Sequence, residues 1–130
     1  MKKSVNTIMQ NGEGKYLLQM RDGVEGICNP LKWNFFGGGV VGGEKPVAAA
    51  ARETQEELGI EVKQNDFELL GELRPRDDRL VYVVRYKPKL EWSDFTVKEG
   101  AGAGFFAQNE LLRIDITDVT RRLAEKFLRN

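Results

Sequence analysis

Five apolar-rich stretches of the chain, each bounded by turn residues, predict β-strands. They are residues 4–10, 16–20, 67–73, 80–86 and 102–106. The first two stretches are separated by the turn-forming segment 11–14, which predicts a β-hairpin between them. The third and fourth stretches predict a second strand pair, joined across the charged segment 74–79.

Two further segments have the pattern of α-helices. The clearer one is 46–58, because Pro46 is tolerated in a first helical turn and Gly59 provides a C-terminal stop. The second is 117–128, where apolar residues recur at four-residue spacing. Strands and helices alternate along the chain, which predicts a mixed α/β or α+β domain whose helices cover a sheet.

Glycine is concentrated just before the first helix, where five of the seven residues 37–43 are Gly. Glycine reaches positive φ at little cost and lets the backbone come close to another group. We therefore expect residues 37–43 to lie outside regular secondary structure and to approach another group closely.

The composition limits the chemistry available to the chain. Its 130 residues fit one domain, 1–130, with a core large enough to fold without disulfides. The single cysteine, Cys28, excludes a disulfide framework and a multi-cysteine zinc site. Histidine is absent, which excludes a Ser–His–Asp triad, a Cys–His pair and an HExxH metal site. Acid–base chemistry or metal binding would fall to carboxylates, Lys, Tyr or water.

Charge and hydropathy predict a cytoplasmic protein with neither nucleic acid nor membrane as a partner. The 20 basic and 20 acidic residues balance, so no overall field attracts the chain to polyanions. The longest apolar runs, such as 47–51, are too short to span a bilayer. The N-terminal residues also lack the apolar core of a secretion signal.

Three glutamates share one face of the first predicted helix. Glu53, Glu56 and Glu57 occupy an arc of about 100°, whereas the apolar residues of the helix lie on another side. Adjacent carboxylates repel one another, and the helix dipole disfavours anions near the C-terminus. A hard dication such as Mg²⁺ or Mn²⁺ over this face would explain the arrangement, and a simple solvated face is the alternative.

The spacing around these glutamates is specific. Gly38 is followed after five residues by Glu44, and after seven more by the segment 52–60, Arg-Glu-Thr-Gln-Glu-Glu-Leu-Gly-Ile. This pattern resembles the signature of the Nudix hydrolase (MutT-like) family, G-x5-E-x7-R-E-U-x-E-E-x-G-U with U a bulky aliphatic residue. All seven fixed residues match, and only Thr54 departs from the aliphatic positions.

The resemblance implies an α+β fold, a mixed α/β/α sandwich, and cleavage of a nucleoside diphosphate linked to another group. It implies Mg²⁺ or Mn²⁺ bound by Glu53, Glu56 and Glu57, helped by a carbonyl of Gly37 or Gly38. The family pattern further gives Arg52 the role of orienting the glutamates, and makes Gly38, Glu44 and Gly59 structural residues. A further ligand or base often follows the signature, and the candidate here is Glu99.

Substrate contacts follow less directly from the sequence. Arg21 and Lys32 could meet phosphates, and Trp33, Phe35 and Tyr82 could stack on a base; solvated and core roles are the alternatives. Arg74, Arg76 and Arg79 form either a solvated hairpin tip or a phosphate or dimer contact.

The substrate could be a nucleoside triphosphate cut to monophosphate and pyrophosphate, or a sugar nucleotide or dinucleotide. A nucleotide-sensing module without turnover is the alternative from another class. The protein could be a monomer or a homodimer.

Overall fold

The computed structural model describes residues 1–21, 31–98 and 100–128. Within these residues the chain forms six strands and two α-helices. The helices are α1 (Pro46–Leu58) and α2 (Asp118–Phe127), and neither is both long and apolar enough to cross a lipid bilayer. The strands are β1 (Lys2–Ile8), β2 (Tyr16–Met20), β3 (Trp33–Gly39), β4 (Phe67–Arg76), β5 (Arg79–Tyr86) and β6 (Gly102–Phe106).

The strands form one mixed sheet in the order β4-β5-β1-β3-β2-β6. The β1–β5 pair is parallel, and the other four pairs are antiparallel. The predicted hairpin between the first two strands is wrong, because β3 lies between β1 and β2. Only an isolated bridge, Gln10 to Tyr16, joins the two segments next to their turn. The turn residues bring the chain back on itself, but both strands find their long-range partner in β3.

The glycine run was also expected outside regular structure, yet Gly37, Gly38 and Gly39 belong to β3. The expected close approach does occur. A Cβ on Gly37 would overlap the carbonyl oxygen of Val5 on the neighbouring strand, so the residue must be glycine for β3 to lie there. Positive φ appears only later in the run, at Gly42 with a φ of 54°.

Each helix covers one face of the sheet, which confirms the predicted α+β sandwich. Strand residues alternate between the two faces, and the adjacent Phe35 and Phe36 are buried on opposite sides. The α1 side of the core contains Val5, Leu17, Phe36, Val84, Ala49, Ala50 and Leu58. The α2 side contains Ile8, Leu18, Phe35, Val81, Val83, Val119 and Leu123.

The helix ends lie where the local signals place them. α1 has Pro46 in its first turn and ends at Gly59, whose left-handed conformation lets its N–H bond to the carbonyl of Gln55. α2 is one residue shorter at each end than predicted. Thr117 precedes it as the N-cap and accepts a hydrogen bond from the backbone N–H of Thr120.

The β4–β5 hairpin extends further than the apolar pattern predicts. The two strands continue through the charged segment until Arg76 pairs with Arg79 around the two-residue turn 77–78. The register shifts between Leu73 and Arg76, so the tip of the hairpin is irregular. This extension brings arginine side chains onto the sheet itself.

Candidate functional site

The three glutamates of α1 occupy different environments. The side chain of Glu53 is 14% exposed and that of Glu56 is 52% exposed, whereas Glu57 is buried, with 2% of its surface exposed. The expectation of three carboxylates on one open face is therefore wrong for Glu57. A buried carboxylate is costly unless other groups compensate it, so this glutamate is not part of a simple solvated face.

The segment 96–98 crosses the last turn of α1 next to Glu57. The backbone N–H of Lys98 donates to the carbonyl of Glu57 at 2.8 Å, and that of Thr96 donates to the carbonyl of Leu58 at 3.1 Å. These bonds satisfy carbonyls that a helix end leaves without intrahelical partners. The Lys98 side chain lies over Gly59, where a Cβ would approach its Cε to 2.7 Å. The C-terminal turn of α1 is thus fixed by a loop distant in sequence.

Glu53 lies directly against the backbone of β3. A Cβ on Gly38 would overlap the carboxylate of Glu53, whereas a Cβ on Gly39 would meet nothing within 4 Å. Gly38 therefore provides the space into which the carboxylate fits. This contact joins the glycine-rich strand and the glutamate helix into one site.

Arg52 connects the loop, the strand and the glutamates. Its Nε and Nη2 hold both carboxylate oxygens of Glu44, at 2.9 and 3.0 Å. Nη1 donates to Oε1 of Glu53 at 2.9 Å and lies 3.5 Å from Oε2 of Glu56. Nη2 also donates to the carbonyl of Gly39 at 2.9 Å. One planar guanidinium thus sets the positions of two helix carboxylates relative to β3.

The ion pair of Glu44 and Arg52 keeps its charges near neutral pH. The side-chain hydrogen bonds from Arg52, followed by the backbone N–H of Val41, lower the pKa of the Glu44 carboxyl. The hydrogen bond to Glu44 in turn raises the pKa of Arg52. Both groups therefore stay ionised near neutral pH, and this pair does not depend on a proton.

We expect Arg52→Lys to lower kcat/KM by about 10–100-fold, the usual effect of losing a group that orients metal ligands. Lysine keeps the charge, but without the planar fork it cannot hold Glu44 through two bonds while reaching Glu53. Steady-state kinetics would measure the change. Arg122→Lys is the control, because Arg122 pairs with Asp118 on the exposed side of α2. Equal losses in both variants would contradict the role of Arg52.

The potential metal ligands at this site are all oxygen atoms. They are the carboxylate oxygens of the glutamates and the nearby carbonyls of Gly37 and Gly38, and oxygen ligands are those that Mg²⁺ and Mn²⁺ prefer. Among residues 1–21, 31–98 and 100–128, no three acidic, His or Cys side chains converge into a preassembled metal-binding group. Arg52 contacts Oε1 of Glu53 and lies near Oε2 of Glu56.

The profile of the NUDIX domain family matches residues 1–127. The chain belongs to the Nudix family. The fold of the chain agrees with this assignment. The family match and the structural neighbours also support the enzyme class that the signature predicts, a hydrolase of phosphoanhydride bonds. No curated protein shows detectable sequence similarity to the chain.

Solved structures of Nudix and MutT proteins share the fold at low sequence identity. One is a MutT from a study of Aliivibrio salmonicida and Vibrio cholerae, with 21% identity and a TM-score of 0.75, covering 97% of this chain and 98% of that one. The MutT protein of Methanosarcina mazei Go1 has 21% identity and a TM-score of 0.72, covering 93% and 87%. The ORF135 protein of E. coli has 24% identity and a TM-score of 0.74, covering 98% and 89%.

The Nudix signature forms a strand, a loop and a helix. Gly38 lies in β3, Glu44 lies in the loop, and Gly59 ends α1. Glu44, Glu53 and Glu56 are brought together around Arg52, and Gly38 lies against Glu53, whereas Gly59 lies at the far end of α1 beside Lys98. Glu99, the expected additional ligand or base, lies outside the described residues, and so does Cys28.

The expected substrate-binding residues do not form one group. Phe35 is fully buried and packs edge-on against Tyr16, so it is a core residue and the stacking role is wrong for it. Trp33 packs against Phe106 on the α2 side of the sheet, whereas Tyr82 packs into the core on the α1 side. These two rings cannot line the same pocket.

The two expected phosphate contacts lie at the end of β3 opposite Gly38. The backbone N–H of Arg21 donates to the carbonyl of Lys32, and the Lys32 side chain is 3.9 Å from Asp115. Gly100 lies against Met20, immediately before Arg21, and Lys98 lies beside α1. Arg21 is therefore close to the loop that crosses the glutamate helix, which keeps it a candidate for phosphate binding.

Two polar residues that the sequence interpretation did not single out lie on the α2 side. Ser4 and Asn6 alternate with Val5 along β1, and both are largely or partly buried. The sequence shows these polar residues at every second position of a predicted strand. That they are buried could be known only from the positions of the neighbouring strands.

Proposed function

We propose that the chain is a divalent-metal-dependent Nudix hydrolase that cleaves a phosphoanhydride bond of a nucleoside diphosphate linked to another group. The observation that carries this proposal is the Arg52 assembly, the contacts that join Arg52 to Glu44, Glu53 and Glu56. In it the Glu53 carboxylate fits against Gly38 while the Arg52 guanidinium binds both Glu53 and Glu44. A helix of solvated glutamates needs neither the fitted carboxylate nor the bidentate arginine. Both are explained if the glutamates must keep fixed positions.

Glu53, Glu56 and Glu57 would hold Mg²⁺ or Mn²⁺, with a carbonyl of Gly37 or Gly38 as a further ligand. Such an ion supplies charge neutralisation on the phosphate oxygens and activation of water. Arg52 orients Glu53 and Glu56 toward the ion while the loop 96–98 fixes the turn that carries Glu57. Because the three carboxylates do not converge in the described structure, binding of the ion would draw their side chains together around it.

Because the chain contains no histidine, the proton acceptor is a carboxylate, Lys, Tyr or water, and we propose a carboxylate. Glu99 is the proposed base, since Lys98 directly before it is bonded to the carbonyl of Glu57. Arg21 would contact the substrate phosphates. Tyr82 lies on the same side of the sheet as the glutamates, in register with Val5, which pairs with Gly38, and it is the proposed contact for a base. Trp33 lies on the other face of the sheet.

Within this reaction class we propose a small nucleotide substrate, with a nucleoside triphosphate cut to monophosphate and pyrophosphate as the first candidate. Sugar nucleotides and dinucleotides are the alternative within the same class. A nucleotide sensor without turnover is disfavoured because all the signature carboxylates are present and Arg52 contacts three of them, Glu44, Glu53 and Glu56.

The test is a panel of nucleoside triphosphates, sugar nucleotides and dinucleotides, assayed with Mg²⁺, with Mn²⁺ and with excess chelator. Products are identified by mass. We expect metal-dependent release of pyrophosphate or phosphate from a subset of the panel and none with chelator. Tight nucleotide binding without turnover under every metal condition would favour the sensor, and chelator-resistant turnover would contradict the metal role.

A further inference from the structure

The segment 96–101 connects the last turn of α1 to the end of β2. At its start, the backbone N–H groups of Thr96 and Lys98 donate to carbonyls of that turn. At its end, the backbone N–H of Ala101 donates to the carbonyl of Met20, the last residue of β2, at 2.9 Å. The Cα atoms of Lys98 and Ala101 can be at most about 11 Å apart, because only three residue steps separate them. A connection this short transmits a displacement at one end to the other.

The segment lies on the same side of the sheet as the glutamates. Val97 packs into the core cluster on the α1 side, and so does Phe95 directly before the segment. On β2, Gln19 alternates with Leu17, which is buried in that same cluster, so the Gln19 side chain also points to the α1 side. The turn that carries Glu57 and the end of β2 are thus joined across one face of the sheet.

Gly100, within this segment, has no room for a side chain. Its φ of 88° lies in the left-handed region, which residues with a Cβ rarely adopt. A Cβ at this position would be 2.8 Å from the carbonyl oxygen of Met20 and 3.3 Å from Oε1 of Gln19. The Met20 oxygen belongs to the backbone of a strand that is paired on both sides, so it cannot move aside easily. A side chain at position 100 would therefore displace the segment and not β2.

Gln19 is the second group that limits how closely residue 100 can approach β2. Only 8% of its surface is exposed, although its side chain is polar. It lies between Asn34 of β3 and Ala103 of β6, which are its direct neighbours in the sheet. Because both neighbouring strands are in place, the Gln19 amide has little freedom to make room for a larger residue at position 100.

The proposed base, Glu99, is flanked in the sequence by two residues that are held in this way. Lys98 precedes it and is bonded to the carbonyl of Glu57, and Gly100 follows it and fits against Met20. A general base acts only within hydrogen-bond reach of the proton that it accepts, and a misplacement of about 1 Å can cost about 10²-fold in rate. The positions of the flanking residues therefore matter for the reaction.

We infer that Gly100 is a positioning residue, whose close fit against Met20 and Gln19 of β2 sets the position of Glu99 relative to the turn of Glu57. This inference rests on the proposed function for the role of Glu99 as the base. Gly100 has no side chain that could reach a substrate, so it acts through the segment that it anchors. Glycine is required there by the closeness of β2, in addition to its left-handed φ.

A double-mutant cycle with Glu99 tests this inference, with kcat measured on a substrate from the panel. Gly100→Ala should lower kcat by about 10-fold, which is part of the roughly 10²–10⁴-fold that a general base provides. In the Glu99→Gln background the same substitution should change kcat by less than about 2-fold, because the displaced group has already lost its function. A role in folding alone would give the same loss in both backgrounds.

Gly14→Ala is the matched control for the backbone cost of the substitution. Gly14 has a φ of 79°, but the nearest atom to a Cβ there is Nε2 of Gln10, at 3.9 Å. Both alanine variants should have a lower unfolding midpoint, whereas kcat should fall only in Gly100→Ala. Gly100→Asn is a second variant, because asparagine tolerates the left-handed region better than alanine while its Cβ still meets Met20. It should lose as much kcat as Gly100→Ala.

Backbone amide hydrogen exchange in the metal-free proteins gives a readout without turnover. Exchange at Thr96, Lys98 and Ala101 should be faster by about 10-fold or more in Gly100→Ala, with a much smaller change in Gly14→Ala. Unchanged exchange at these amides, a normal kcat in Gly100→Ala, or equal kcat losses in the two backgrounds would overturn the inference. Faster exchange without hydrolysis of any panel compound would refute the proposed function alone.

Discussion

Glu56→Gln should lower kcat/KM by about 10²–10⁴-fold, the range for losing a group that acts directly in acid–base or metal chemistry. The amide keeps the shape of the side chain but removes the negative charge that a dication requires. Glu56 is the best of the three glutamates for this test, because its side chain is half exposed and its contact with Arg52 is long, at 3.5 Å. Stability of the metal-free protein should therefore change little.

Two measurements test the prediction for Glu56→Gln. The Mn²⁺ or Mg²⁺ concentration for half-maximal rate should rise in Glu56→Gln, while the metal-free unfolding midpoint stays within the range of the wild type. Glu61→Gln is the control, because Glu61 is an exposed carboxylate just beyond the end of α1 and outside the signature. Near-normal turnover in Glu56→Gln would show that the ligand assignment is incorrect.

Gly38→Ala is the second change with a large expected effect, a loss of kcat/KM of about 10²-fold, typical of displacing a catalytic group by about 1 Å. The added methyl group would occupy the position of the Glu53 carboxylate, so the carboxylate must move. Because Arg52 also binds Glu53, the displacement would extend to the Arg52 assembly. Metal affinity, measured by titration with Mn²⁺, should fall together with the rate.

Gly39→Ala provides an unusually close control for this substitution. Gly39 is the next residue of β3, and a Cβ there would meet nothing within 4 Å. Its contact with Arg52 uses the backbone carbonyl, which alanine retains. We expect Gly39→Ala to keep wild-type rate and metal affinity. Similar behaviour of the two alanine variants would mean that the position of Glu53 against β3 does not matter for catalysis.

The bounds of α1 were predictable because local sequence signals determine them. Its two ends are set by a proline in the first turn and a left-handed glycine after the last, and both act through the backbone of a few neighbouring residues. Its bounds, Pro46–Leu58, were therefore predictable from the sequence, and so was the family, through the spacing of Gly38, Glu44, Arg52 and the glutamates. The strand β6 was predicted with the same success, because its boundaries are also local.

Strand order was not predictable in the same way. The turn 11–14 indicates a hairpin, but β3 separates the two strands because its own partners are distant in the sequence. The glycines of β3 point to flexibility when they are considered alone. Gly37 and Gly38 are nevertheless part of a regular strand, and they must be glycine there because Val5 and Glu53 occupy the space that a side chain would need.

The sequence by itself determined which candidate groups the chain offers: three glutamates on one helix, an arginine next to them, and no histidine. Tertiary structure alone decided that Glu57 is buried, that Phe35 is a core residue, and that Lys2, Arg76 and Arg79 are neighbours in the sheet. The physical reason is that residue type and spacing fix local conformation, whereas burial and charge environment depend on segments far apart in the chain. The carbonyl of Glu57 accepts a hydrogen bond from Lys98, and Arg79 meets Lys2 only across the sheet.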